Sequence, residues 1–219
     1  MKLLKKNIIK QLEELFKGFQ KQVTVTFFTQ DVECRPCHDV RLLLGELDEL
    51  TDKIKVDIYD FVKDKEQVEK FGIKMIPAIV VGDEKDYGIR FYGVPGGYEF
   101  ASLIEAIRMV SEGKGELQAE TKTFLDSLDQ DVHLDVFVTP TCPYCQGAVV
   151  MAHRMAYYSP RVTAAMVELT EYPELAVKYN IMGVPRIMVN EGEYLDGAAP
   201  EYMVVDLISA NILKRGEKG

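Results

Sequence analysis

TCPYC, residues 141–145, holds two of the chain's four cysteines, and ECRPC, residues 33–37, holds the other two. Each pair encloses two residues, and Cys34 and Cys37 lie 108 positions before Cys142 and Cys145. The same interval separates Pro77 from Pro185, around which FGIKMIPAIVVGD (71–83) aligns without a gap on YNIMGVPRIMVNE (179–191). The runs IKVDIYD (54–60) and VTAAMVE (162–168) keep that register, which slips only upstream, where FFTQDVEC needs two more residues than FVTPTC to reach its first cysteine. A repeat of this length governs every other assignment: the chain is two copies of one pattern.

Each copy reads alike from local signals. An amphipathic helix comes first (NIIKQLEELFKGF, then LQAETKTFLDSL), followed by a β-rich apolar run (VTVTFFT, then VHLDVFVT) and the cysteine pair. A long helix follows the cysteines, then a strand, a short charged helix, a strand opened by the proline, a strand ending in Gly93 or Gly197, and a closing helix. The EGKGE at 112–116 ends a helix on glycines and places a boundary between units 1–114 and 115–219. The order combines a βαβ crossover with a hairpin, so the expected class is α/β: two tandem units, each a mixed four-stranded sheet flanked by helices, plus an additional N-terminal helix. In that helix Leu4, Ile8, Leu12, Leu15, Phe16 and Phe19 form one apolar face.

Composition narrows the classes. With 219 residues, 47% of them hydrophobic, either one large or two smaller domains can bury a core. The net charge is −9, carried mainly by the second unit, which argues against nucleic-acid binding. No apolar run is long enough for a membrane span, and charges interrupt the start too often for a targeting signal, so a cytoplasmic protein is expected.

Four cysteines in two CxxC pairs admit three chemistries. A structural zinc site is one, but a zinc knuckle does not need a strand before it, a long helix after it or a proline 43 residues on. Inert disulfides are another, yet so short a loop yields little entropic stabilisation. Thiol–disulfide exchange accounts for the spacing. Dipoles at a helix N-terminus favour the thiolate of Cys34 and Cys142, and Cys37 and Cys145, one turn on, can reach back to resolve a mixed disulfide. Arg35 adds a positive charge beside Cys34, opposed by Asp31, Glu33 and Asp39. Pro36, Pro143 and Tyr144 complete the tuning dipeptides.

The prolines, if they do more than open strands, would turn the backbone beside each thiol through cis bonds at Ile76–Pro77 and Val184–Pro185, exposing an edge to which an extended peptide could pair. Asp60 and Glu168, at matching strand ends, are candidate acceptors for the proton of the second thiol. His38, His133 and His153 show no metal-ligand spacing, although His38 directly follows Cys37. The facing of Asp135 is ambiguous, and Tyr157 and Tyr158 read as packing residues.

CRPC with MIP and CPYC with GVP together resemble the two-unit protein disulfide oxidoreductases, glutaredoxin-like members of the thioredoxin superfamily. CPYC is the glutaredoxin motif, whereas CRPC is an unusual first motif. The resemblance covers essentially the whole chain and implies two thioredoxin folds, cis prolines at Pro77 and Pro185, and reduction, oxidation or isomerisation of protein disulfides. It implies no bound cofactor or metal beyond the redox-active disulfides, protein disulfide or dithiol partners, and recycling by a flavin-dependent thioredoxin reductase. The tandem N-terminal part of the alkyl hydroperoxide reductase flavoprotein is similar to a lesser degree, since its first unit lacks the cysteines. A non-catalytic redox-sensing adaptor remains the alternative function; the sequence leaves the oligomeric state open.

Overall fold

The computed structural model describes residues 3–30, 32 and 34–216. Asp31 and Glu33, assigned above to the surroundings of Cys34, lie outside the described residues. The first unit runs α1 (Lys6–Phe16), β1 (Val23–Thr29), α2 (Arg35–Leu50), β2 (Ile54–Asp60), α3 (Lys65–Lys70), β3 (Ala78–Gly82), β4 (Asp86–Tyr92) and α4 (Glu99–Glu112). The second repeats that order with α5 (Ala119–Asp126), β5 (Val132–Val138), α6 (Cys145–Tyr158), β6 (Val162–Glu168), α7 (Pro173–Lys178), β7 (Arg186–Val189), β8 (Tyr194–Asp196) and α8 (Glu201–Gly216). Between them α4 stops at Gly113, whose left-handed φ of 72° is accessible at little cost without a Cβ and whose amide donates to the Met109 carbonyl.

The two sets of four strands merge into one sheet ordered β2-β1-β3-β4-β6-β5-β7-β8. The join is β4 against β6 in parallel, from Ile89 opposite Ala164 to Tyr92 opposite Val167. Because β1 is parallel to β2 and antiparallel to β3, which is antiparallel to β4, the strands β1, β2, β4, β5 and β6 all run the same way. Both cysteine loops, which follow β1 and β5, therefore leave the same edge of the sheet.

Strand parity sorts the side chains onto two faces. Val23, Val25 and Phe27 of β1 and Val162, Ala164 and Met166 of β6 enter a core shared by both units, with Val40, Leu44 and Leu47 of α2, Leu103 and Ile107 of α4, and Val149 and Ala152 of α6. Leu12, Phe16 and Phe19 of the N-terminal segment are buried there too, and Leu4, Ile8 and Leu15 pack against it. Phe28, Val80, Phe137, Ala165 and Val167 face the opposite way, into a smaller core under α3 and α7.

The outer hairpin of the second unit is shorter than its counterpart. Asn190 and Glu191 both adopt left-handed φ (49° and 55°) in the three-residue loop between the paired Val189 and Glu193, and β8 keeps three residues where β4 has seven. A short edge strand offers little template for another chain.

His153 fastens the seam. It is 1% exposed on α6; its Nε2 donates to the Arg90 carbonyl of β4 at 3.0 Å, and its ring lies 4.7 Å from that of Phe91. Burial lowers its pKa from 6.5 to about 4, with the Arg90 charge acting in the same sense. The depressed value means that neutral His153 contributes stability fully above pH 6.5, and that this contribution is lost as pH falls from 6.5 towards 4. At 1.36 kcal/mol per pKa unit, the loss is about 3 kcal/mol. Denaturant titrations from pH 7 to 4 should show the parent losing that much more stability than His153→Gln, and parallel curves for the two proteins would contradict the assignment.

Candidate functional site

The first cysteine pair lies where β1 gives way to α2. Cys34 is the N-cap of that helix, half-exposed, with Pro36 in the first turn, where its missing N–H costs no helix bond. Cys37 is 3% exposed and closes a disulfide with Cys34 across a Cα–Cα distance of 5.3 Å.

The second pair departs from the expected placement. Cys142 precedes the first helical residue of α6, which is Cys145 itself, and Tyr144 is the N-cap. Cys142 instead occupies a hydrogen-bonded turn: its amide donates to the Thr139 carbonyl at 3.1 Å, and the Cys145 amide donates to its own carbonyl at 3.4 Å. The disulfide spans 5.5 Å between Cα atoms, with Cys142 8% exposed and Cys145 fully buried. In both pairs the first sulfur is the more accessible.

The register brings each proline to its cysteines. Phe28 pairs with Ala78 and Phe137 with Arg186, so Pro77 and Pro185 lie level with the ends of β1 and β5, where the cysteine loops begin. The Ile76–Pro77 and Val184–Pro185 bonds are both cis. Ile76 and Val184 are half-buried, and both prolines are buried. The four sulfurs do not converge. Four strand spacings separate β1 from β5, about 19 Å along the edge, and each pair is closed on itself.

Of the tuning residues, Arg35, Pro143 and Tyr144 are exposed and Pro36 is half-buried; Tyr144 stands 70% exposed beside the second pair. Asp60 and Glu168 are engaged by their own turns. The Asp60 carboxylate accepts the amides of Lys63 and Val62 at 2.9 Å and pairs with the Lys63 ammonium at 3.3 Å. These contacts, the Lys63 amide foremost, hold its pKa below the usual carboxylate value and weaken it as a base. Glu168 is 1% exposed, its oxygens accepting the amide and hydroxyl of Thr170 at 2.9 and 2.6 Å.

Two other acids, which the sequence reading passed over, have a buried oxygen without a hydrogen-bond partner among the described residues: Glu99 and Glu171. Glu99 is fully buried at the start of α4, with one oxygen accepting the Ser102 hydroxyl at 2.6 Å; desolvation raises its pKa. Its neighbours touch the other unit's cysteine loop. The Tyr98 amide donates to the Pro140 carbonyl at 3.3 Å, and a Cβ on Gly97 would stand 2.1 Å from that oxygen. The first unit thus carries a buried carboxyl one residue from its contact with the loop that leads to the second pair. The second unit does not repeat the device, since the corresponding Glu201 accepts the Gln118 amide.

The histidines fall outside both centres. His38 is exposed, and His153 is the seam residue already described. His133 lies between the Thr163 hydroxyl at 2.7 Å and Asp135 at 3.0 Å. That pair settles the facing of Asp135: with Tyr92, Phe137 and Tyr179 it lines a cavity of about 470 Å³ on the face that carries α3 and α7. Tyr157 stacks on Tyr87, and the Tyr158 hydroxyl donates to Asp126.

The fold is thioredoxin-like, with the same order of elements twice and a disulfide-bonded cysteine pair in each copy. The sequence profile of the thioredoxin domain family matches residues 132–208. The chain is homologous to the N-terminal domain of alkylhydroperoxide reductase AhpF and to an archaeal protein disulfide oxidoreductase. The AhpF domain, from Enterococcus faecalis, superposes with a TM-score of 0.87 at 25% identity over 94% of this chain and 99% of its own. The protein disulfide oxidoreductase of Aeropyrum pernix gives 0.88 at 29% identity over 94% and 93%. The alkyl hydroperoxide reductase AhpF of Staphylococcus aureus is 27% identical over 88% of this chain. The chain spans about a third of the length of that relative.

Gly97 is where the contact between the units can be tested. Its φ of 59° and the Pro140 oxygen leave no room for a side chain. Gly97→Ala should lose about 2 kcal/mol or more in urea denaturation. In the reduced protein it should also change the alkylation rate of Cys142 while leaving that of Cys34 within twofold, a local effect that a uniformly softened fold would not give.

Proposed function

We propose that the chain is a cytoplasmic protein thiol–disulfide oxidoreductase whose two units, 1–114 and 115–219, each carry one centre. The observation that carries this reading is the repeated geometry: a first cysteine more exposed than its partner (half-exposed at Cys34, 8% exposed at Cys142), a buried second cysteine three residues on, and an X-Pro bond level with both on the adjacent antiparallel strand.

The chemistry balances in two displacements. In the reduced chain the Cys34 or Cys142 thiolate attacks one sulfur of a substrate disulfide; the substrate S–S bond breaks, a mixed disulfide forms, and one substrate thiolate leaves. Cys37 or Cys145 then loses its proton and attacks the first cysteine's sulfur, expelling the second substrate thiolate. The substrate gains two electrons and, after protonation, two thiols, while the protein ends with the disulfides observed here. Run backwards, the same steps oxidise a dithiol, and interruption at the mixed disulfide permits isomerisation. Regeneration needs an external dithiol or hydride source, for which we propose a flavin-dependent thioredoxin reductase.

Each centre has a surface for an extended substrate segment at Ile76–Pro77 and Val184–Pro185, whose side chains pack beside the core that holds the cysteines. Substrate backbone would pair there with little demand on sequence, as suits proteins of varied structure. Arg35 and Pro36 would set the properties of the first centre, and Pro143 and Tyr144 those of the second. The base we assign to the Cys145 proton in the resolving step is Glu99, supported by its burial next to the residue that contacts Pro140, since a desolvated carboxyl is a stronger base than a solvated one. Asp60 and Glu168, the candidates drawn from sequence, are held by turn contacts and are weaker choices.

Insulin disulfide cleavage with dithiothreitol as recycling reductant tests the function. The parent chain should accelerate it well above dithiothreitol alone, Cys34→Ser combined with Cys142→Ser should abolish the acceleration, and each single substitution should leave part of it. Glu99→Gln should slow turnover at the second centre by about a hundredfold or more, the range of a lost general base. No acceleration by the parent would instead favour an adaptor whose thiols switch a binding surface without turnover.

A further inference from the structure

The second unit reaches into the first at the place where the first would hold its substrate. The Pro77 carbonyl accepts two hydrogen bonds, one from the Gly93 amide at 3.0 Å and one at 3.4 Å from the hydroxyl of Tyr172, a residue of the second unit that is 8% exposed. One residue earlier, a Glu171 oxygen accepts the Val94 amide at 2.9 Å. A Cβ on Gly93 would meet the Glu171 carboxyl at 3.3 Å and the Glu168 Cβ at 2.8 Å, so the chain from Glu168 to Tyr172 lies flush on the end of β4. The comparable carbonyl of the second unit, that of Pro185, accepts the Gly197 amide at 2.7 Å; β8 is an outer strand of the sheet, and no further unit stands beside it among the described residues.

We propose that Tyr172 and Glu171 are positioning residues for the first redox centre: from the second unit they fix the Pro77 carbonyl and the Val94 amide, and with them the Ile76–Pro77 surface that takes the substrate backbone. The inference rests on the oxidoreductase reading of that surface. It extends the reading by making the first centre dependent on the second unit whether or not the second unit's own cysteines are present. Three acids meet at this place, Glu171, Glu168 and, from α2, Asp39, whose negative charge reaches Glu171. Glu168 is engaged by Thr170, which leaves Glu171 to hold Val94. The arrangement calls for an acceptor at 171 and does not call for its charge.

The test uses the full chain in two backgrounds, Cys142→Ser/Cys145→Ser to isolate the first centre and Cys34→Ser/Cys37→Ser to isolate the second. With insulin as substrate, Tyr172→Phe and Glu171→Ala should each raise KM at the first centre about threefold to tenfold, the range of one lost hydrogen bond, with kcat within twofold. Glu171→Gln, which keeps an acceptor for the Val94 amide, should restore the parent KM. All three should leave the second centre within twofold of its parent. Equal losses in both backgrounds, no change in the first, or a Gln variant as impaired as the Ala variant would each overturn the proposal. Amide hydrogen exchange in the oxidised chain separates this from failure of the oxidoreductase reading, because it needs no turnover. Exchange at Val94 should quicken about tenfold in Glu171→Ala and stay at the parent rate in Glu171→Gln; an unchanged Val94 rate in Glu171→Ala would overturn the proposal even for a chain that turned nothing over.

Discussion

The parallel pairing of β4 with β6 determines how the rest of the molecule works. It turns two four-stranded sheets into one, aligns β1 and β5 so that both cysteine loops leave the same edge, and brings the end of each unit against the site of the other. Without it, Gly97 and Tyr98 would have no Pro140 to rest on, and Tyr172 no Pro77 carbonyl. The join also makes the core continuous: α2 and α4 of the first unit and α6 of the second bury side chains in one cluster.

Exchange between the two centres within one molecule is not built into this frame. About 19 Å along the edge separates strands β1 and β5, while a mixed disulfide requires sulfurs in covalent contact. The two cysteine pairs lie along the same edge and differ in their surroundings. The first has a half-exposed cysteine at a helix N-cap, next to Arg35; the second has a more buried cysteine in a turn, close in sequence to the exposed Tyr144. Such differences separate redox potentials readily, since about 30 mV corresponds to 1.4 kcal/mol for a two-electron couple.

Much of this was legible in the sequence because it is periodic or repeated. The interval of 108 carried the order of elements, the cysteine pairs and the prolines. What escaped depends on contacts between the copies. Nothing in YGIRFYG marks it as the partner of VTAAMVE, since backbone pairing between separate units leaves no local signature. Glu99 reads as an ordinary first-turn acid of α4, and only its burial singles it out. Asp60 and Glu168 show the opposite case: their matching offsets marked them out in the sequence, and each accepts hydrogen bonds within its own turn. The start of α6 at Cys145, after the cysteine pair, agrees with the sequence, but Cys142 sits ahead of the N-cap in the turn closed by Thr139 and Cys142.

The pH dependence of iodoacetamide labelling in the reduced chain tests most directly whether a poised sulfur anion with a shielded partner exists in each unit. Cys34 and Cys142 should label with pKa values below the ~8.5 of a free thiol, and at pH 7 at least about tenfold faster than the buried Cys37 and Cys145. If all four label alike, with the pH profile of an unperturbed thiol, neither pair is built for exchange.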